Sequence, residues 1–334
     1  MDYITERRSN EREVQYGRKD TGKKKEKAVN NKRMKRILIG GSPCTHWSVA
    51  QKPEARETEA QGLGWELFKN YLIALEKFKP DFFLYENNES VSKTIQSEIE
   101  KSLKVELLHL DSALVSAQKR QRIYGTNIQG IETPKDRGLK VKDILVPGFE
   151  RENLISEVRF NGKDDTKNNN KIVRIGTFGK GGQGERVYSI NGKSCTLSAN
   201  GGGKGARTGL YLINGQVRKL NIIEAERLQT LPDNYTKAIK ETQRYKAVGN
   251  GWTAEMIIHI LSYMDIPKDE PLIVLSLYDG IATGRYCLDK LGYKNIRYYA
   301  YEIEESPIKC ALDNYPDIIQ CGDAFKVRDY DWKL

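Results

Sequence analysis

Val274-Leu275-Ser276-Leu277-Tyr278-Asp279-Gly280-Ile281-Ala282-Thr283-Gly284 runs from an apolar stretch into a glycine-bearing turn, and residues 285–291 follow with helical character. Strand, glycine turn and helix in that order form the unit that receives a nucleotide-type ligand at its turn. Gly280 and Gly284 let the backbone approach such a ligand. The next two apolar runs, 296–301 and 318–321, end at Glu302 and at Gly322-Asp323-Ala324. An acid at the end of the strand that follows the glycine turn is placed to accept hydrogen bonds from ribose hydroxyls, which is the role read for Glu302. Helix capping is the competing role for Glu302 and Asp323.

The same alternation extends upstream. Residues 36–40, 81–85, 105–110 and 122–127 read as strands, and 64–78 and 91–103 as helices. Strand-helix alternation implies an α/β fold with a doubly wound, mostly parallel sheet. Residues 128–217 break the rhythm with many Gly, Asn and Lys, leaving only short β-like pieces at 171–177, 186–190 and 209–213. That stretch reads as a smaller, irregular, β-rich lobe. Its glycine-rich peptide 200–208 lacks the Walker spacing of a phosphate-binding loop, and reads as a flexible loop whose Lys204 and Arg207 are able to meet a nucleic-acid backbone.

The chain has 334 residues and a formal net charge of +10, which points to a polyanionic partner. Residues 1–36 hold thirteen Lys/Arg against six Asp/Glu without apolar periodicity, so residues 1–35 read as a basic tail. The five cysteines are scattered with no C-x-x-C pair, which argues against a zinc site or disulfide framework and for a reducing compartment. No apolar run is long enough to span a bilayer and no signal-peptide pattern opens the chain. A cytoplasmic protein, monomeric and without metal or membrane partner, is expected.

The chemistry is expected in three peptides. Gly40-Gly41-Ser42-Pro43-Cys44-Thr45-His46-Trp47-Ser48 follows an apolar run and presents one thiol at a strand end, in a loop whose free backbone N–H groups can stabilise a thiolate. A buried, inert cysteine is the alternative. Glu86-Asn87-Asn88 follows Phe82-Phe83-Leu84-Tyr85, so a carboxylate also sits at a strand end. Gln118-Lys119-Arg120-Gln121-Arg122 places two arginines at alternate positions, on one face of a strand. In an open α/β sheet these groups can converge at the carboxyl edge, and a thiol, a carboxylate and two guanidinium groups suit attack on a pyrimidine.

These Pro-Cys, Glu-Asn and Gln-x-Arg-x-Arg peptides resemble the catalytic motifs of the DNA cytosine-5 methyltransferase family, and the resemblance covers nearly all of residues 36–334. It implies Cys44, Glu86, Arg120 and Arg122 as catalytic residues, with Glu86 on cytosine N3 and the exocyclic amine. It also implies S-adenosyl-L-methionine as cofactor, bound by Tyr278, Asp279, Gly280, Ile281, Thr283, Gly284, Glu302, Ile303, Asp323 and Ala324, and enclosed by Asn250, Trp252 and Thr253. The implied partner is double-stranded DNA, met by Ser48, Lys204 and Arg207, with residues 45–62 as a lid over an extruded base. By the same resemblance, residues 36–127 and 218–334 are the catalytic and cofactor-binding halves of one domain, and 128–217 is the target-recognition region. Family members generally begin with the cofactor motif, whereas here it comes near the end, which resembles a circular permutation. An RNA cytosine-5 methyltransferase and a non-catalytic DNA-binding regulator remain alternatives. The recognition sequence, and whether the setting is a restriction-modification system or a phage, are not readable.

Overall fold

The computed structural model describes residues 33–48, 53–148, 157–162, 171–199 and 208–330. Lys204, Arg207 and part of the expected lid (49–52) lie outside the described residues. The first part of the chain forms β1 (Lys35–Gly40), α1 (Gly62–Phe78), β2 (Phe82–Asn88), α2 (Lys93–Leu103), β3 (Leu108–Asp111) and β4 (Gln121–Thr126). A run of short strands follows: β5 (Arg159–Phe160), β6 (Arg174–Thr177), β7 (Arg186–Ser189), β8 (Leu210–Ile213) and β9 (Gln216–Arg218). The rest comprises α3 (Ile222–Leu228), α4 (Glu241–Asn250), α5 (Ala254–Leu261), β10 (Leu272–Leu277), α6 (Thr283–Lys290), β11 (Ile296–Tyr301), α7 (Glu305–Asn314) and β12 (Ile319–Gly322).

Seven strands form one sheet in the order β12-β11-β10-β1-β2-β4-β3. Every neighbouring pair is parallel except those made by β4, which runs antiparallel to both β2 and β3. The alternation along β1 decides which helix covers which face. Ile37 and Ile39 enter a core with α5 (Ile257, Ile260) and α6 (Cys287, Leu288), whereas Leu38 enters a second core with α1 (Phe68, Tyr71) and α2 (Ile95, Ile99). Helices therefore cover both faces, as the sequence reading expects of a doubly wound sheet. Each fully buried aliphatic or aromatic side chain contributes about 1.5–3 kcal/mol.

Local chemistry sets the helix ends. Ser92 accepts a hydrogen bond from the Ile95 amide and caps α2, and α1 stops at Lys79, left-handed at φ 48°, immediately before Pro80. A second sheet, β5-β6-β7-β8-β9, occupies the segment where only short β-like pieces are readable, and β5 and β9 go beyond those pieces. One of its clusters, Tyr188, Tyr211 and Ile213, joins α3 and α4 through Ala225, Leu228 and Val248.

Several boundaries differ from the expectation. Strand β1 begins at Lys35, within the segment assigned to the tail, because Lys35 pairs with Leu272 and its ammonium reaches Asp81. Strand β2 continues through Glu86 to Asn88, so Glu86 does not follow the strand. Pairing with β1 ends at Tyr85, but the antiparallel ladder with β4 runs on to Asn88 opposite Arg122.

Candidate active site

Parallel pairing of β1 with β10 puts Gly40 opposite Leu277, and pairing with β2 puts Gly40 opposite Tyr85. The Cys44 loop therefore leaves the sheet between the cofactor-type turn and the Glu86 segment. The approach is close enough to require glycine twice. A Cβ on Gly40, at φ +153°, would lie 2.4 Å from the Leu277 carbonyl oxygen, and one on Gly41 2.3 Å from that of Glu86. Because β4 is antiparallel, its beginning lies at the carboxyl edge of the parallel strands, and that direction carries Arg120 and Arg122 to the same place. Arg122 Nε sits 2.9 Å from Glu86 Oε1, and Glu86, Arg122 and Arg120 all act electrostatically on the Cys44 thiol. The four residues named as catalytic thus form one cluster.

Arg120 is buried, and its guanidinium donates to the carbonyls of Leu197 (3.2 Å), Gly249 (3.1 Å) and Gly251 (2.8 Å). Three carbonyl acceptors favour the charged form against burial, which lowers its pKa. Arg120 consequently ties the catalytic edge to the second sheet's side and to the α4–α5 turn. Burial, reinforced by the Glu86 charge, pushes the Cys44 thiol upward, and Arg122 and Arg120 only partly offset this. Desolvation dominates that rise, while the hydrogen bond from the loop backbone acts in the direction that favours the thiolate.

The loop that carries Cys44 is held by residues to which the motif reading gave no anchoring role. Asn87 Nδ2 donates to the Ser42 carbonyl (3.1 Å) and to the Tyr85 hydroxyl (2.9 Å), which is 2.8 Å from Ser42 Oγ. Trp47, three residues past the thiol, is fully buried, and its indole donates to Glu57 Oε2 at 3.1 Å. Glu57 also accepts from the Gly64 amide in the first turn of α1, faces His46 at 3.6 Å, and donates its own amide to the His46 carbonyl. The two flanks of the expected lid are therefore pinned to each other. Ser48 is buried, and its amide donates to the Cys44 carbonyl.

On the cofactor side, Tyr278 (φ 57°), Gly280 (φ 63°) and Ala282 (φ 60°) are all left-handed. Two non-glycine residues in that region mark a strained turn, and its surroundings over-determine it. The Asp279 amide donates to the Tyr301 carbonyl, and the Tyr235 hydroxyl donates to the carbonyls of Ile281 (2.9 Å) and Ala282 (3.3 Å). A Cβ on Gly284 would lie 2.3 Å from Ile39 Cδ1, so any side chain there would displace that buried isoleucine. Buried Thr283 opens α6 beside it. The Glu302 carboxylate accepts from the amides of Gly280 (2.9 Å), Ile303 (2.8 Å) and Glu304 (2.9 Å), and neighbouring Ile303 is 68% exposed. Asp323 caps the 3-10 turn that begins at Ala324, accepting from the Phe325 amide at 2.9 Å. The Tyr278 hydroxyl donates to the Leu67 carbonyl and accepts from Asn70, which fixes its ring against α1. Asn250 is exposed at the end of α4, and buried Thr253 donates to Gln229 Oε1 at 2.9 Å. Gln229 and Gln118 form a buried pair that also engages Leu228, Val248 and Gly251 carbonyls. Nothing in their local sequence pattern signalled that role.

Asp279 is the most perturbed acid of the site. Ser276 and Tyr298 hydroxyls each donate to its Oδ1 at 2.6 Å, while its buried Oδ2 has no partner among the described residues. Burial pushes its carboxyl up to about 6. Below about pH 4 this group is protonated in both folded and unfolded chains. As pH rises from about 4 to about 6 the unfolded chain loses the proton first, so the stability contributed by the neutral form is lost. Asp279→Asn is expected to gain about 2–3 kcal/mol relative to wild type between about pH 4 and pH 6.5, measured by denaturant unfolding across that range. A difference that stays flat with pH would remove this assignment.

Among the described residues no group of three or more His, Cys, Asp or Glu side chains is placed to hold a metal ion, and no helix is long and apolar enough to cross a membrane.

A Pro-Cys thiol, a strand carboxylate and paired arginines lie beside a strained nucleotide-type turn on a doubly wound sheet, a set of groups that suits a class of enzyme attacking a pyrimidine. Comparison with known proteins narrows that class. The profile of the C-5 cytosine-specific DNA methylase family matches residues 8–265. The chain is 35% identical over 248 residues to the type II methyltransferase M.HhaI of Haemophilus parahaemolyticus, covering 68% of this chain and 74% of that protein. It is 29% identical to M1.ScrFI of Lactococcus lactis subsp. cremoris and 27% identical to M.SsoII of Shigella sonnei, both type II methyltransferases. These alignments cover 68% and 66% of this chain and 61% of each relative. The chain belongs to the C-5 cytosine-specific DNA methylase family, and its enzyme class is DNA cytosine-5 methyltransferase.

Proposed function

We propose that this chain transfers a methyl group from S-adenosylmethionine to C5 of cytosine in a short duplex DNA sequence, through a covalent bond between Cys44 and C6 of a flipped-out base. The observation that carries the reading is the gathering of Cys44, Glu86, Arg120 and Arg122 beside the Tyr278–Ala282 turn. Base extrusion is required because a stacked cytosine cannot offer C6 to a loop thiol.

The residues present fit the cofactor. The orphaned buried oxygen of Asp279 suits a positively charged nucleoside, Glu302 retains acceptor capacity for ribose hydroxyls, and exposed Ile303 offers an apolar surface to the adenine. Tyr278, Gly280, Ile281, Thr283, Gly284, Asp323 and Ala324 would complete that site, with Asn250, Trp252 and Thr253 enclosing it. When bound, S-adenosylmethionine supplies the electrophilic methyl carbon.

Cys44 gives up its proton to water as its sulfur bonds to C6, and the C5–C6 π pair moves onto C5, which becomes the nucleophile. Glu86 carries a proton to N3 and contacts the exocyclic amine, which stabilises the protonated ring, and it takes that proton back when the ring's double bond reforms. Arg122, with Arg120 behind it, holds the base carbonyl. After methylation C5 gives up its proton to water, the C–S bond breaks, and the double bond reforms.

We assign target recognition to residues 128–217, which include the second sheet as far as β9, with Ser48, Lys204 and Arg207 meeting DNA. The motif order also fits a circular permutation. Strand β10 lies between β11 and β1, only residues 262–271 link α5 to it, and the family match ends at residue 265, ahead of the cofactor turn.

Purified protein with S-adenosylmethionine should place 5-methylcytosine in duplex DNA at one short sequence, read by bisulfite sequencing, with structured RNA unmodified. Methylation of RNA alone would replace the proposed substrate, and no methylated cytosine in either polymer would defeat the reading.

A further inference from the structure

We propose that Trp252 is a positioning residue for the catalytic carboxylate, beyond any part it has in enclosing the cofactor; this rests on Glu86 being the group that meets the base. The indole Nε1 donates to Glu86 Oε2 at 3.0 Å while Arg122 Nε holds Oε1 at 2.9 Å. Each carboxylate oxygen has two acceptor sites, so one donor on each leaves one acceptor on each. Two free acceptors side by side match what a protonated ring nitrogen and an adjacent exocyclic amine present. With the indole donor gone, the carboxylate is free to rotate toward the guanidinium fork of Arg122, which satisfies both oxygens bidentately and turns them away from the base.

The donor is itself held rigidly. Trp252 follows Gly251, whose carbonyl accepts from Arg120 (2.8 Å) and from Gln229 (3.1 Å), and precedes Thr253, which bonds Gln229 at 2.9 Å. Arg120 reaches the Gly249 carbonyl as well, and the Trp252 ring packs against the core that contains α5 and α6. The same carboxylate oxygen also meets the Cys44 loop, where a Cβ on Gly41 would lie 3.2 Å from Glu86 Oε2. Glu86 is thus enclosed by the nucleophile's loop, the Arg122 strand and the indole. A functional group held by a well-supported neighbour of this kind keeps the geometry that a proton-bearing contact needs.

Trp252→Phe keeps the ring and removes only the donor, and Trp252→Ala removes both. At saturating DNA and S-adenosylmethionine, Trp252→Phe is expected to lower kcat about tenfold or more, the loss expected for one hydrogen bond to a charged group. Its cofactor Kd and melting temperature should stay near wild type, whereas Trp252→Ala should weaken cofactor binding too. A second measurement needs no turnover. In 15N-tryptophan-labelled full-length protein, the indole proton signal that disappears in Trp252→Phe should move upfield in Glu86→Ala. A wild-type kcat in Trp252→Phe, a loss fully recovered by adding cofactor, or an indole signal indifferent to Glu86→Ala would each overturn the proposal. If the wild-type protein methylates no cytosine, the functional reading fails by itself, and the indole signal still decides whether the contact exists.

Discussion

Cys44→Ser is expected to reduce methyl transfer by on the order of 10³-fold or more, because a hydroxyl is a far weaker nucleophile than sulfur and no neighbour replaces that property. Folding should be preserved. The Cys44 loop is anchored by Asn87 on Ser42 and by Glu57 on Trp47, and neither contact involves the sulfur. The decisive measurement uses duplex DNA with 5-fluorocytosine at the target and S-adenosylmethionine present. Wild-type protein should form an adduct that survives denaturation, because fluorine at C5 cannot leave as a proton does. Cys44→Ser should form none while binding the same duplex. Adduct formation by the variant, or through another of the cysteines, would assign the chemistry elsewhere.

The largest stability effect is expected at Glu224. Its fully buried carboxylate receives both terminal nitrogens of Arg218 at 2.7 Å and the amides of Asn221 (2.8 Å) and Val146 (3.1 Å). Glu224→Ala would leave the Arg218 guanidinium buried without its counter-charge, a change that costs about 3–5 kcal/mol. That is a large share of a total stability of about 5–15 kcal/mol. The loss should exceed that of the exposed Lys246–Glu304 pair, where removing a partner costs about 1 kcal/mol or less. The contrast is checked by urea unfolding of both single variants. The double change Arg218→Met with Glu224→Leu should recover much of the loss, since well-packed apolar residues replace buried ion pairs at little cost. Equal, small effects at both sites would show that the buried pair contributes no more than a surface one.

The two cases mark what kinds of information the chain carries openly. Cys44 and Glu86 stand out because their chemistry and their positions after apolar runs are both local features. Glu224 is different, because its bond to the Val146 amide, 78 residues away, leaves no trace in either neighbourhood. The contact between Trp47 and Glu57 escaped notice for the same reason. A tryptophan and an acid ten residues apart acquire meaning only when the intervening chain folds back and closes on the first turn of α1. Trp252 was read as part of a cofactor wall, and the bond from its indole to Glu86 spans 166 residues.

The period of its apolar residues and the identity of its reactive side chains determined, from sequence alone, an alternating α/β chain with a thiol, an acid and two arginines at or near strand ends, and a glycine turn suited to a nucleoside. Those properties are written within a few residues of each other, so no partner is needed to read them. Only the tertiary structure decided that β4 runs antiparallel, that β2 continues past Tyr85 to bring Glu86 opposite the arginine strand, and that β10, late in the chain, lies against β1 near its start. Strand direction and neighbour are chosen by burial and hydrogen bonding between segments far apart in the chain. Local periodicity is the same whichever neighbour is chosen.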